Sequence, residues 1–228
     1  MKKIIRTVFG SALLLILTAC GSQSVLYEGQ RAWSAETLRA GGMVIVGVVA
    51  NSGMNIKEDR EGHATMLYKA YQTQRPEYRY VAYRDARLAI GSSVHTQMLD
   101  SFAFQGTASS GMLRMAKEKL PIRYWLFANI EGQWITQDVA EKNKKTTFTT
   151  TRQIAVKIVV YDAQLSGRVA SGWSLADAAS ASQVTDQPAA NLKQNDQYPE
   201  NLFPSPPSET ILLQNIFAKL AQRLPLSK

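Results

Sequence analysis

Arg152-Gln153-Ile154-Ala155-Val156-Lys157-Ile158-Val159-Val160-Tyr161-Asp162 is the stretch on which the fold turns. Ile154, Val156, Ile158 and Val160 fall on one face of a strand, and Ala155, Lys157, Val159 and Tyr161 on the other. The first face is predicted to be core. Asp162 to Gly167 follows as a turn, rich in the residues that turns favour, and Arg168-Val169-Ala170-Ser171-Gly172-Trp173-Ser174-Leu175 returns as a strand. Upstream, Ile122 to Gly132 is another strand, joined to the first through a charged stretch in which Lys142-Asn143-Lys144-Lys145 reads as a solvated hairpin tip. Three consecutive strands joined this way make an antiparallel meander.

Working outward, Met43-Val44-Ile45-Val46-Gly47-Val48-Val49 is a continuous β-branched run, which suits a central strand buried on both faces. His63 to Tyr71 has helical spacing and Pro76 stops it. Tyr78 to Tyr83 alternates by two, as a half-buried strand does. Asp85 to Phe104 reads as a helix interrupted at Gly91, and Gly111 to Leu120 as a second helix closed by Pro121. Near the C-terminus, Leu212, Leu213, Ile216, Phe217, Leu220 and Leu224 recur at i, i+3, i+4 spacing behind a Ser208 cap. Ala176 to Pro207 is rich in Ala, Ser, Asp, Gln, Asn and Pro and reads as a long polar loop. The predicted class is α/β: a helix-covered mixed sheet with an antiparallel C-terminal meander and a terminal helix.

The N-terminus has the three parts of a secretory leader. Lys2, Lys3 and Arg6 are its positive region, Val8 to Leu17 its apolar core, and Leu17-Thr18-Ala19-Cys20 its end. The apolar run is short for a bilayer span. Its last four residues resemble the lipobox of bacterial lipoproteins, which implies cleavage before Cys20 and acylation of that cysteine by a diacylglycerol and an amide-linked chain. Two acyl signals suffice for stable anchoring. Gly21 and Ser22 follow, with no Asp, and by resemblance to the sorting rule of Gram-negative lipoproteins this implies the outer membrane. The expected location is that membrane, lipid-anchored and facing the periplasm, although the sequence does not itself say which side the domain faces. The expected organisation is a leader over 1–19, a lipidated N-terminus and tether over 20–40, and one α/β domain over 41–228 containing the polar loop 176–207.

Cys20 is the only cysteine, and lipidation consumes it, so disulfides and thiolate chemistry are excluded. The net charge of +8 falls by three, to +5, with the leader's cations gone. Lys and Arg are not clustered with stacking aromatics as a nucleic-acid surface requires, so no nucleic-acid partner is expected.

Tyr124-Trp125-Leu126-Phe127-Ala128-Asn129-Ile130-Glu131-Gly132, then Ala155 to Ala163, the Ser166-Gly167 turn and Val169-Ala170-Ser171-Gly172-Trp173 resemble the second half of CsgG-like and LpoB-like envelope lipoproteins. The resemblance implies a small α/β domain that works by binding partners, as an activator of wall synthesis or as a subunit of an export assembly. The charged stretch from Gln133 to Thr151 departs from the curli pore's membrane hairpins. Asp138, Glu141, Lys142, Lys144 and Lys145 would be costly facing lipid, so no pore is expected.

Catalytic signatures are missing. His63 and His95 lie in no recognisable motif, and Gly91-Ser92-Ser93-Val94-His95 reads as a Ser-rich turn with a surface histidine. Glu58-Asp59-Arg60-Glu61 reads as a solvated loop rather than a cation site. Trp125, Trp134 and Trp173 would suit a sugar groove, but also a core or a hairpin packing. Three functions stay open: a non-catalytic scaffold or regulator with an envelope protein partner, a homo-oligomeric subunit of a secretion or polysaccharide-export apparatus, and a cell-wall hydrolase. No catalytic, cofactor-binding or metal residue is expected, and no cofactor.

Overall fold

The computed structural model describes residues 23–30, 33–50, 59–143, 145–185 and 189–225. Its strands are β1 (Gln23–Gly29), β2 (Met43–Ala50), β3 (Tyr80–Val81), β4 (Tyr124–Lys142), β5 (Lys145–Asp162) and β6 (Gly167–Thr185). Its helices are α1 (Ala35–Gly41), α2 (Arg60–Gln74), α3 (Tyr83–Ile90), α4 (Ser92–Gln105), α5 (Ser110–Lys119) and α6 (Glu209–Gln222). The strands form one mixed sheet in the order β1-β6-β5-β4-β2-β3. β2 is parallel to β3 and β4, while β1 is antiparallel to β6. The α/β class, the meander and the terminal helix stand as the sequence predicts. The leader and Cys20 lie outside the described residues. No helix among the described residues is long and apolar enough to cross a membrane.

The chain forms two compact units. The larger comprises Gly21–Trp134, Gln153–Asp177 and Ser208–Lys228. Its core is set by β2, whose residues from Met43 to Val49 are buried on both faces. α2 packs on β2 and on α6, and α3 and α4 also reach β2. α6 buries Leu212, Leu213, Ile216, Phe217 and Leu220, the stripe its periodicity predicts.

β2 carries one irregularity that positions much else. Ile45 pairs with Leu126 and Gly47 with Phe127, so Val46 is an extra residue without a partner on β4. The Nε2–H of His95 on α4 donates to the Val46 carbonyl at 2.8 Å. The ring is fully buried and meets the edge of Tyr83 with centroids 4.7 Å apart. His95 is therefore a structural core residue and not the surface histidine its Ser-rich context suggests.

Next to the bulge, a Cβ on Gly47 would stand 2.8 Å from Leu99 Cδ2. The absence of a side chain lets α4 approach β2. Gly47→Ala is expected to cost about 1–2 kcal/mol through overpacking against Leu99, seen as a lower urea midpoint at unchanged m. An unchanged midpoint would show that Leu99 yields freely.

Three local readings are corrected. Gln23 to Gly29, read as part of a tether, form β1. β1 pairs with β6 over its whole length, from Gln23 opposite Ala176 to Gly29 opposite Ala170. α1 starts at a Ser34–Thr37 capping box and buries Leu38. The alternation of Tyr78 to Tyr83 yields only a two-residue strand, because Tyr83 is taken as the first residue of α3. The Tyr78 hydroxyl instead donates to the carbonyl of Pro225.

The third correction concerns the smaller unit, which among the described residues comprises Ile135–Arg152 and Ala178–Pro207. The charged stretch and the first part of the polar loop are strand: β4 runs on to Lys142, β5 starts at Lys145 and β6 reaches Thr185. Two 3-10 turns follow, at Ala189–Leu192 and Glu200–Leu202. Phe148 is fully buried, edge-on to Tyr198 at 5.5 Å and Phe203 at 5.2 Å. Those two rings order a segment whose composition otherwise resists packing. Ser182 Oγ donates to the Leu202 carbonyl at 2.7 Å, and the Ala189 amide donates to Glu141 Oε2 at 3.1 Å.

Candidate functional site

The alternation of strand side chains divides the larger unit's sheet into two faces. On one, Gly172 leaves room for a tyrosine: a Cβ there would be 2.9 Å from Tyr27 Cδ2 and 3.0 Å from Ile158 Cγ1. Tyr27 accepts a hydrogen bond from Trp33 Nε1 at 3.1 Å, and burial pushes its phenol above the ordinary value, with that hydrogen bond opposing. This face is core.

The opposite face is covered only in part. Phe127 of β4 is packed by Phe102 of α4 at 4.9 Å and by Tyr161 of β5 at 5.6 Å, and the Tyr161 hydroxyl accepts from the Ala108 amide at 3.0 Å. Farther along the same strands, Leu26, Glu28, Glu131, Lys157, Ser171 and Trp173 line an open depression of about 280 Å³. They come from four adjacent strands. Register explains the grouping: Leu26 lies opposite Trp173 and Glu28 opposite Ser171.

Trp173 is fixed by chemistry as well as by register. Its Nε1–H donates to Glu131 Oε2 at 3.1 Å. With its donor satisfied, the indole offers mainly ring surface, next to Leu26, which is 68% exposed. Glu28 and Lys157 add charges of both signs. An aromatic anchor beside an exposed aliphatic, bordered by charges, is the composition of a docking surface.

The other residues singled out by sequence do not gather here. Trp125 is core and donates through Nε1 to the Ile122 carbonyl at 2.8 Å, while Trp134 is half exposed. His63 is buried, with Nε2 at 4.0 Å from Glu209 Oε1, and Ser92 and Ser93 are exposed while His95 is committed to Val46. Asp59 caps α2 by accepting from the Gly62 amide at 2.8 Å, and Arg60 pairs with Asp100 at 2.8 Å. Glu58 lies outside the described residues. No group of three His, Cys, Asp or Glu side chains suited to a metal occurs among the described residues. The sequence reading missed Leu26, Glu28 and Glu131. Val25-Leu26-Tyr27 was a usable strand signal, too short to stand out in a polar stretch.

No protein-family model matches the chain, and no curated protein does. Among solved structures it is similar to the PelC dodecamer from Paraburkholderia phytofirmans, at 10% identity and a TM-score of 0.41, over 91% of this chain and 100% of that one. It is similar to the LpoB C-terminal domain from Salmonella enterica at 9% identity and TM-score 0.37, over 62% of this chain and 86% of that one. It is also similar to the lipoprotein GNA1162 from Neisseria meningitidis, at 7% identity and TM-score 0.27, over 66% and 89%. Likenesses this distant leave the function to be argued from the chain's own residues.

Proposed function

We propose that this is an outer-membrane lipoprotein, anchored through Cys20 and facing the periplasm, that acts by binding an envelope protein partner and not by catalysis. The observation that carries the binding reading is the open sheet face, where Glu131 steers Trp173 beside an exposed Leu26. The leader and its Leu17-Thr18-Ala19-Cys20 end support the anchor. Both histidines are buried, and His95 is spent on a backbone carbonyl.

The test is a photoreactive amino acid in place of Leu26, with one in place of Ile211, exposed on α6, as control. Irradiated in native envelopes, the Leu26 position is expected to give one discrete adduct and the Ile211 position none. Trp173→Ala should reduce that adduct at least tenfold while costing about 1–2 kcal/mol of stability, since the ring is only half buried. An adduct of twice the chain's mass would identify the partner as a second copy. Equal labelling from both positions, or none from either, would remove this face as the docking surface.

A further inference from the structure

β1 begins at Gln23, so only Gly21 and Ser22 separate Cys20 from a strand built into the sheet. A fully extended chain advances about 3.5 Å per residue, and Cys20 therefore lies within ~10 Å of the start of β1. A flexible segment over Gly21 to Ala40 would instead have given a contour of ~70 Å and a mean reach of ~25 Å.

β1 is not a detachable arm. It pairs with β6 from Gln23 to Gly29, and its Tyr27 fills the space that Gly172 leaves. Beyond it, the Gln30 amide donates to the Val169 carbonyl at 2.9 Å and the Gln30 side chain to the Arg168 carbonyl at 2.9 Å. Peeling β1 away would expose Tyr27 and Trp33 together.

We infer that the larger unit is held at the bilayer surface, with the start of β1 within ~10 Å of the lipid headgroup layer that is its partner, and does not move on a leash. The inference rests on the lipid-anchored reading of Cys20. It follows from two lengths: the covalent reach from the anchor to β1, and the fixed register that makes β1 part of the rigid sheet. Leu26, six residues from the anchor, is held within ~20 Å of it. The docking face thus lies within ~20 Å of the membrane surface, and a partner must reach it there.

The full chain, produced with its leader in a Gram-negative host, tests this in nanodiscs of phosphatidylethanolamine and phosphatidylglycerol. Cys20 is consumed by the acyl group, so Leu26→Cys and Leu165→Cys each give one site for a donor dye, with the acceptor on lipid headgroups. Leu165 sits in the β5–β6 turn, at the far end of β6 from Ala176, about 30 Å away along the strand. Energy transfer is expected to be severalfold stronger from position 26. A 20-residue Gly-Ser insertion between Ser22 and Gln23, which precedes the sheet, should lower transfer at position 26 severalfold and bring the two positions together. Acylated protein with equal transfer from both positions and no response to the insertion would overturn the held position alone. Unmodified Cys20, seen by mass spectrometry of the N-terminal peptide, would overturn the anchored reading and the held position with it. Thermal melts of each variant check that the sheet is intact.

Discussion

His95→Leu is expected to destabilise the protein by about 2–4 kcal/mol, read as a lower urea midpoint at pH 7.5 or above. Leucine fills most of the space but removes the imidazole N–H that the Val46 carbonyl accepts beside the bulge in β2. The same residue makes a pH prediction. Burial lowers the imidazole to about 4 from its ordinary 6.5; the Val46 hydrogen bond opposes this, and Arg87 and Arg60 add to it. The unfolded chain takes up a proton through 6.5 and the folded chain only near 4, so the unfolded state binds more protons in that window. Stability from this group is complete above about pH 6.5 and falls as the pH drops, by up to about 3 kcal/mol at pH 4. His95→Leu lacks that slope, so the difference in stability between the two proteins should shrink from pH 7.5 to pH 4. A difference that stays constant would mean that His95 does not carry the linkage.

Asp162→Ala is expected to cost about 2–4 kcal/mol. The carboxylate closes β5 in a nearly inaccessible position, 1% exposed. Its Oδ2 accepts from Arg123 Nε at 2.8 Å and lies 2.7 Å from Arg123 Nη2, while Oδ1 accepts from the Gln164 amide at 2.8 Å and, less closely, from Leu165 at 3.4 Å. One side chain thus ties the turn to Arg123, the residue just before β4, whose carbonyl also receives the Ala163 amide at 2.8 Å. Asp162→Asn keeps the turn's acceptor and loses the charge, and should cost about half as much. Arg123→Met should be at least as harmful as Asp162→Ala, since it strands a buried carboxylate, whereas the Arg123 left by Asp162→Ala, with its side chain 23% exposed, can reach water. A double-mutant cycle is expected to give a coupling of at least ~1 kcal/mol. Additive losses would show that the pair is coincidental and the turn hydrogen bonds alone matter.

What the sequence made legible follows from which forces leave a periodic trace. β2, the β5 core face and α6 bury rows of large aliphatics, and their spacing shows it. The break at Gly91 was equally plain, and the structure separates α3 from α4 there, with Gly91 at φ +92°. β1 and the far ends of β4, β5 and β6 were not legible, because their order comes from partners distant in sequence. Ala178-Ala179-Ser180-Ala181-Ser182 has no apolar alternation, and backbone pairing holds it as strand. The bulge at Val46 gave no signal, since Val46 looks like its neighbours. His95 looked like a surface residue because nothing in a linear reading shows that α4 brings it against a backbone carbonyl of β2. The candidate site was half visible. Trp173 drew attention by type, whereas Leu26, Glu28 and Glu131 join it only through the pairing of four strands.

The pairing of β1 with β6 also sets an order of events. Gln30 and its partner Arg168 are 138 positions apart, and the ladder beyond them spans slightly more. Synthesis delivers β1 among the first residues of the fold and β6 only after most of the chain has appeared, so this ladder cannot begin to close until then. Meanwhile β4, β5 and β6 find one another through short turns, at little cost in loop entropy. The earliest strand is therefore the last to be completed, and throughout that interval its Val25-Leu26-Tyr27 remains an open strand edge, the kind of surface on which chains pair wrongly.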